Sequence, residues 1–234
     1  MAPRFVGRLG IADAVTVGGA ALGFLATAVA LVDVRLAAQF VLLAAVADGL
    51  DGVLARRFGG TPVGPHLDSL SDVVSFGVAP AMVVMAVIEG AATGEGRAVL
   101  AFGIPALFVA MAVVRLGLYT AYDTKDTRTV GVPTTLAATT LAAGILAGID
   151  DPVAVLSITA AFCYLMVSPI RYPDLLARDA LLMGVVHVLA VLVPGFQGGM
   201  FPVALVTLAL AYLVLGPRFY WGENERHGLE GKRS

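Results

Sequence analysis

Four aspartates stand in two pairs inside an otherwise apolar stretch: Asp48 and Asp51, three residues apart, then Asp68 and Asp72, four apart. Three and four are the helical spacings that put side chains on one face, so each pair presents its carboxylates together. A connection of about ten residues between the two helices folds them antiparallel, and the four carboxylates can then converge near one membrane surface. Like charges in one place repel, and two divalent cations would balance four aspartates. Hard oxygen ligands suit Mg²⁺, Mn²⁺ or Ca²⁺, whereas one cysteine and three scattered histidines offer no zinc set. Metals held by carboxylates at a membrane surface point to chemistry on a phosphate anhydride. The residues between the pairs agree. Gly52 and Ala55 follow Asp48 and Asp51 on the same face, and Gly64 opens the next helix. They leave room for a nucleotide to approach the backbone, and Arg56 supplies a planar cationic fork for a phosphate.

The elements that must hold these residues are membrane helices. Hydrophobic residues make up 59% of the 234, charged residues only 14%, and mean hydropathy is +0.89. A soluble domain is about 45–50% apolar and about 25% charged. An ordinary soluble enzyme and a disordered chain are excluded, and a net charge of -2 offers no excess for a polyanion. Apolar runs cover Ile11–Val32, Leu36–Leu54, Leu67–Ile88, Ala98–Tyr119, Pro133–Ile149, Val153–Val167, Ala180–Val193 and Phe201–Leu215. The first is too long for the apolar core of a signal peptide and reads as a span. Breaks rich in Pro, Gly, Asp and Arg separate the runs, and Asp150-Asp151-Pro152 divides two short spans with a tight turn. The expectation is an all-α integral membrane protein of about eight transmembrane helices, forming one domain over residues 1–217. A short amphipathic segment carrying Arg4 and Arg8 precedes it, and a polar tail covers residues 218–234.

Orientation follows from counting. With the amino terminus cytoplasmic, thirteen of the fifteen Lys and Arg fall in cytoplasmic segments, and only Arg35 and Arg97 fall outside. That positive-inside bias favours an even number of spans, both termini cytoplasmic and the aspartates at the cytoplasmic face of the cell membrane. Among single residues, His187 reads as a hydrogen-bonded packing group, His66 as a solvated loop residue and Cys163 as a small apolar filler. Tyr220 and Trp221 read as interfacial anchors. Gly19-x-x-x-Gly23 permits a close helix contact, but the pattern arises easily by chance in a chain this rich in Ala and Gly.

The array Asp48-x2-Asp51-Gly52-x2-Ala55-Arg56-x7-Gly64-x3-Asp68-x3-Asp72 resembles the defining motif of the CDP-alcohol phosphatidyltransferases, matching every fixed position over 25 residues. The resemblance implies a six-helix core, here with two further C-terminal helices, a CDP-activated lipid substrate, release of CMP and a homodimer. It implies that Asp48, Asp51, Asp68 and Asp72 ligate two divalent cations, that Asp72 is also the general base, and that Gly52, Ala55, Arg56, Thr61 and Gly64 surround the CDP moiety. Three further segments are similar to the phosphatidylserine (or archaetidylserine) synthase branch: LDSLSDVVSFGVAP at 67–80, Val114-Arg115-Leu116 with Gly131-Val132-Pro133-Thr134, and Ser168-Pro-Ile-Arg171-Tyr172-Pro173. They imply L-serine as acceptor, bound by Arg115, Ser168, Arg171 and Tyr172, with an ester- or ether-linked lipid. Two stretches depart from the branch. Gly117-Leu118-Tyr119-Thr120 stands where Ala-Arg-Phe-Asn is usual, and Ala12-Asp13-Ala14-Val15-Thr16 stands where Pro-Asn-x-x-Thr is common, retaining Thr16.

Charge complementarity points the same way. Serine carries a carboxylate into a site already holding four, so a guanidinium is needed to fix it. Arg115 and Arg171 sit at span ends where they can reach the cavity, with snorkelling to lipid phosphates as their alternative role. Glycerol phosphate or inositol phosphate as acceptor would call for more cations. A cation transporter would spread its acids through the membrane depth, not gather them at one face.

Overall fold

The computed structural model describes residues 6–89, 95–123, 128–173 and 177–219. Arg4, Tyr220, Trp221 and nearly all of the expected polar tail lie outside the described residues. The helices are α1 (Ile11–Val29), α2 (Val34–Phe58), α3 (Gly64–Asp72), α4 (Ala79–Ile88), α5 (Glu95–Leu118), α6 (Thr134–Leu146), α7 (Pro152–Met166), α8 (Ala177–Leu192) and α9 (Met200–Phe219). A π-helical segment, Val73–Val78, joins α3 to α4, making one continuous rod over Gly64–Ile88. Among the described residues, eight rods therefore stand where eight spans are expected. Five are long and apolar enough to cross a membrane, while 134–146, 152–166 and 181–192 are shorter. The chain is an all-α, multi-pass membrane protein.

The short helix α6 explains how a sub-membrane length is tolerated. Thirteen residues rise only about 20 Å, less than the ~30 Å hydrocarbon core. Every residue from Leu136 to Leu146 is buried, and α6 packs on α2, α4, α5, α7 and α9. It is wrapped by protein and does not have to match the lipid thickness. The turn after it forms as its residues suggest: Asp151 caps α7 by accepting from Ala154 N at 2.8 Å, with Pro152 in the first turn.

The connection between the two aspartate helices is shorter than the ten residues expected. Helix α2 continues to Phe58 and α3 begins at Gly64, leaving only residues 59–63 between them. Arg56 and Arg57 in the last turn of α2 suit its negative end. Gly59 then stops the helix with φ of +88° while its N–H still reaches Ala55 O at 3.0 Å.

A small antiparallel ribbon interrupts the helical architecture. Strand β1 (Arg128–Val130) pairs with β2 (Arg171–Pro173), Val130 opposite Arg171 and Thr129 opposite Tyr172. Gly131 follows β1 with φ of +77°, and a Cβ there would sit 2.1 Å from Met166 O. Its N–H donates to Ile170 O at 2.8 Å, and Val132 N donates to Leu165 O at 3.0 Å. Both the dihedral and the approach therefore require glycine. Gly131→Ala is expected to cost about 2–4 kcal/mol through strain and displaced backbone bonds. Thermal unfolding of the purified variant in detergent measures it, and an unchanged midpoint would contradict the assignment.

Candidate active site

One face of α1 sets the foundation. Asp13, Thr16, Gly19 and Gly23 recur at spacings of three, three and four, and all are buried. Ser71 Oγ donates to Thr16 O and Ser75 Oγ to Gly19 O, both at 2.9 Å. A Cβ on Gly23 would fall 2.7 Å from Ser75 Cα. The Gly19-x-x-x-Gly23 pattern is thus a true close contact. Its partner is the rod carrying Asp68 and Asp72, where the helix widens into its π-helical segment directly after Asp72. Single π turns inside helices are frequent at functional sites.

Asp48, Asp68 and Asp72 come together, each offering a carboxylate oxygen within 4.8 Å of the others. Asp72 is buried and the other two are half-buried. Three hard anionic donors at this spacing fit Mg²⁺, Mn²⁺ or Ca²⁺. Asp51 is not one of these three: its buried carboxylate accepts a hydrogen bond from Thr16 Oγ1. Of the four aspartates expected to ligate cations, three share this cluster and Asp51 is bonded to Thr16. Arg115, buried on α5, lies near enough to Asp72 to act on its charge, and its guanidinium is 5.6 Å from the Tyr119 ring centroid. Ser69, beside Asp68, shares a 2.6 Å hydrogen bond with Thr120, whose hydroxyl also donates to Leu116 O.

Of the residues expected around the nucleotide, Gly52, Ala55 and Arg56 lie on α2, Thr61 in the turn that follows and Gly64 at the start of α3. Gly52 and Ala55 are half-buried on α2, and exposed Arg56 folds back along it: a Cβ on Gly52 would meet Arg56 Nη1 at 3.5 Å. Thr61 and Gly64 belong to a hydrogen-bonded turn. Thr61 Oγ1 donates to Asp13 Oδ2 at 2.7 Å and accepts from Gly64 N at 3.1 Å. The Thr61 hydroxyl is thus engaged with protein.

The four residues expected to hold the acceptor divide. Arg115 and Ser168 line one cavity of about 210 Å³, with Leu118, Tyr122, Val130 and Val167 among its walls. Ser168 is buried, and its hydroxyl donates to Leu165 O at 2.8 Å. Arg171 is exposed on β2, outside the cavity wall but opposite Val130, which belongs to it. Tyr172 is not brought to the cavity. It is 1% exposed, packs 5.8 Å from the Tyr212 ring and donates to Leu213 O at 3.4 Å. Burial raises its hydroxyl above the ordinary tyrosine value, so it remains a neutral donor in the core. His187 is a packing residue, bonded to Met183 O and Thr139 Oγ1, and Cys163 is buried.

Sequence reasoning missed the contribution of α1. The Asp13/Thr16/Gly19/Gly23 stripe is a helical pattern of polar and small residues, and that periodicity could have marked it as a buried polar interface.

Comparison with known proteins gives consistent findings. The family profile described as CDP-alcohol phosphatidyltransferase matches residues 9–193. The chain is 34% identical to archaetidylserine synthase of Methanothermobacter thermautotrophicus over 135 residues, covering 56% of this chain and 55% of that protein. It is 30% identical to CDP-diacylglycerol–serine O-phosphatidyltransferase of Helicobacter pylori over 151 residues, covering 59% and 61%. It is also 47% identical to the Mycobacterium leprae protein of that name over 53 residues, covering 22% and 18%. The chain thus spans less than two thirds of the length of each of these relatives.

Proposed function

The chain belongs to the CDP-alcohol phosphatidyltransferase family, and from that premise we propose that it transfers the lipid-phosphate group of a CDP-activated lipid to the hydroxyl of L-serine, releasing CMP. The observation that carries this reading is the double position of Arg115. It acts on the charge of Asp72 and also lines a cavity of about 210 Å³. A small acceptor bearing both a carboxylate and a hydroxyl suits that arrangement, with the carboxylate on the guanidinium and the hydroxyl toward Asp72. The relatives named for serine transfer support the same acceptor over glycerol phosphate or inositol phosphate. A transport path loses its basis with the family membership.

Divalent cations, which this family uses, would be held by Asp48, Asp68 and Asp72 with Asp51 alongside, and supply charge neutralisation at the diphosphate and polarisation of the phosphorus under attack. Gly52, Ala55 and Gly64 leave space for the CDP moiety, and Thr61 braces the turn beside it. Arg56 holds the phosphate that departs with CMP. Asp72 accepts the serine hydroxyl proton as that oxygen bonds to the lipid-bearing phosphorus. The bond from this phosphorus to the CMP oxygen breaks, and CMP carries away the negative charge. Ser168 closes the wall behind the acceptor, with Arg171 and Tyr172 holding the adjoining ribbon. The basic residues favour both termini and the site on the cytoplasmic side of the cell membrane, and the family resemblance favours a homodimer.

The test is incorporation of radiolabelled L-serine into CDP-lipid micelles by purified protein, using ester- and ether-linked lipids in parallel. Labelled lipid and equimolar CMP are expected with at least one lipid. Incorporation of labelled glycerol phosphate or inositol phosphate in place of serine would overturn the acceptor. Within the same assay, Arg115→Ala is expected to raise the serine KM by about 10- to 100-fold, the value of charge-assisted hydrogen bonds to a carboxylate. Arg171→Ala should raise it less, since Arg171 lies outside the cavity wall. The reverse order would move the carboxylate site to the ribbon.

A further inference from the structure

Asp13 is 3% exposed and belongs to neither aspartate pair. Its Oδ2 accepts from Gly10 N at 2.8 Å and from Thr61 Oγ1 at 2.7 Å. The first bond ties the Asp13 carboxylate back to the N-cap backbone of α1, a role that an exposed residue performs equally well. The second bond crosses to the turn between α2 and α3, 48 residues away in sequence. Gly64, the first residue of α3, is pressed against the same carboxylate: a Cβ there would lie 3.1 Å from Asp13 Oδ1. One helical turn further along α1, Thr16 holds Asp51. The same face of α1 thus grips Asp51 itself and, through Thr61, the turn seven residues before Asp68.

We propose that Asp13 is a positioning residue for the reaction: through Thr61 its carboxylate clasps the turn at residues 59–63 and so sets where Asp68 and Asp72 stand relative to Asp48. The proposal rests on the reading of the aspartate cluster as the metal and CDP-lipid site. Asp13 touches no reacting atom. Its action is on the register of two helices whose carboxylates must meet within 4.8 Å. Both hydrogen bonds converge on a single oxygen, so an asparagine with its carbonyl in that place keeps both. Geometry, not the charge of Asp13, is what the clasp requires.

The experiment compares Asp13→Ala, Asp13→Asn, Thr61→Val and the Asp13→Ala/Thr61→Val double variant, purified in detergent. Mn²⁺ binding is read by electron paramagnetic resonance without substrate, and CMP release is read against CDP-lipid and serine. Asp13→Ala and Thr61→Val are expected to weaken Mn²⁺ binding by about 10- to 100-fold, as loss of groups that orient ligands does. The CDP-lipid KM should rise with it, with the serine KM unchanged. The double variant should be no worse than Asp13→Ala, and Asp13→Asn should recover most of the Mn²⁺ affinity. Thr61→Val deletes one hydroxyl at constant shape and carries the test if Asp13→Ala does not fold. The proposal is overturned if Asp13→Asn is as damaging as Asp13→Ala, or if the two single losses add. It also falls if Asp13→Ala lowers the unfolding temperature yet leaves Mn²⁺ and CDP-lipid parameters intact. Mn²⁺ binding needs no acceptor: a wild-type protein that ignores serine while Asp13→Ala still loses Mn²⁺ would end the serine assignment and leave the clasp standing.

Discussion

Asp72→Asn should bind CDP-lipid and yet turn over about 10²- to 10⁴-fold more slowly, the usual worth of a positioned general base. Asparagine keeps the shape and one acceptor oxygen but cannot take the serine proton. The position leaves few substitutes. Asp72 is buried at the end of α3, clustered with Asp48 and Asp68, and the wide π-helical turn begins at the next residue. Because Asp72 is also a proposed cation ligand, part of any loss could come from weakened metal binding. Saturating Mn²⁺ separates the two effects: the ligand contribution is restored, and the loss from the missing base persists. The wild-type rate should fall as acid protonates the base, and this limb of the pH–rate profile should disappear in the variant. CDP-lipid binding is read independently as a ligand-induced rise in unfolding temperature. Near-normal turnover at saturating Mn²⁺ would remove Asp72 as the base.

The parts of the molecule that were legible in the sequence are those governed by local rules. Apolar runs long enough to span a bilayer become helices because the backbone has no other way to satisfy itself in lipid, so eight runs became eight rods. The aspartate spacings of three and four place each pair on one helical face whatever surrounds them. What the sequence alone does not show depends on distant partners. Asp48 and Asp51 look equivalent along α2, but only Asp51 has Thr16 within hydrogen-bonding reach. Tyr172 and Arg171 are neighbours in sequence, but alternation along β2 sends one into the core and leaves the other exposed. Gly19 and Gly23 look like common small residues until Ser71 and Ser75 arrive against them. The length of the turn at 59–63 also depended on helix-end chemistry that the hydropathy of the spans does not record.

Removing divalent cations should abolish activity and loosen the fold together. Asp48, Asp68 and Asp72 bring carboxylate oxygens within 4.8 Å of one another. At an effective dielectric near 20, each ionised pair at such a distance repels by about 3–4 kcal/mol. Arg115 supplies one positive charge beside three negative ones, so most of that repulsion must be relieved by bound cations or by protons. Protonated carboxylates are poor metal ligands, so activity is expected to follow the first solution. With excess EDTA, CMP release is expected to drop to background and to return on titration with Mg²⁺ or Mn²⁺. Cation at 100 times its Kd adds about 2.7 kcal/mol to the folded state, so the unfolding temperature should rise along the same titration. Asp48→Asn and Asp68→Asn should shift both titrations to higher metal. Asp51→Asn should shift them less, because its carboxylate is already committed to Thr16. Full activity in EDTA would exclude a metal-dependent site. An Asp51→Asn shift larger than that of Asp48→Asn would mean that Asp51 leaves Thr16 to join the cation when substrate binds.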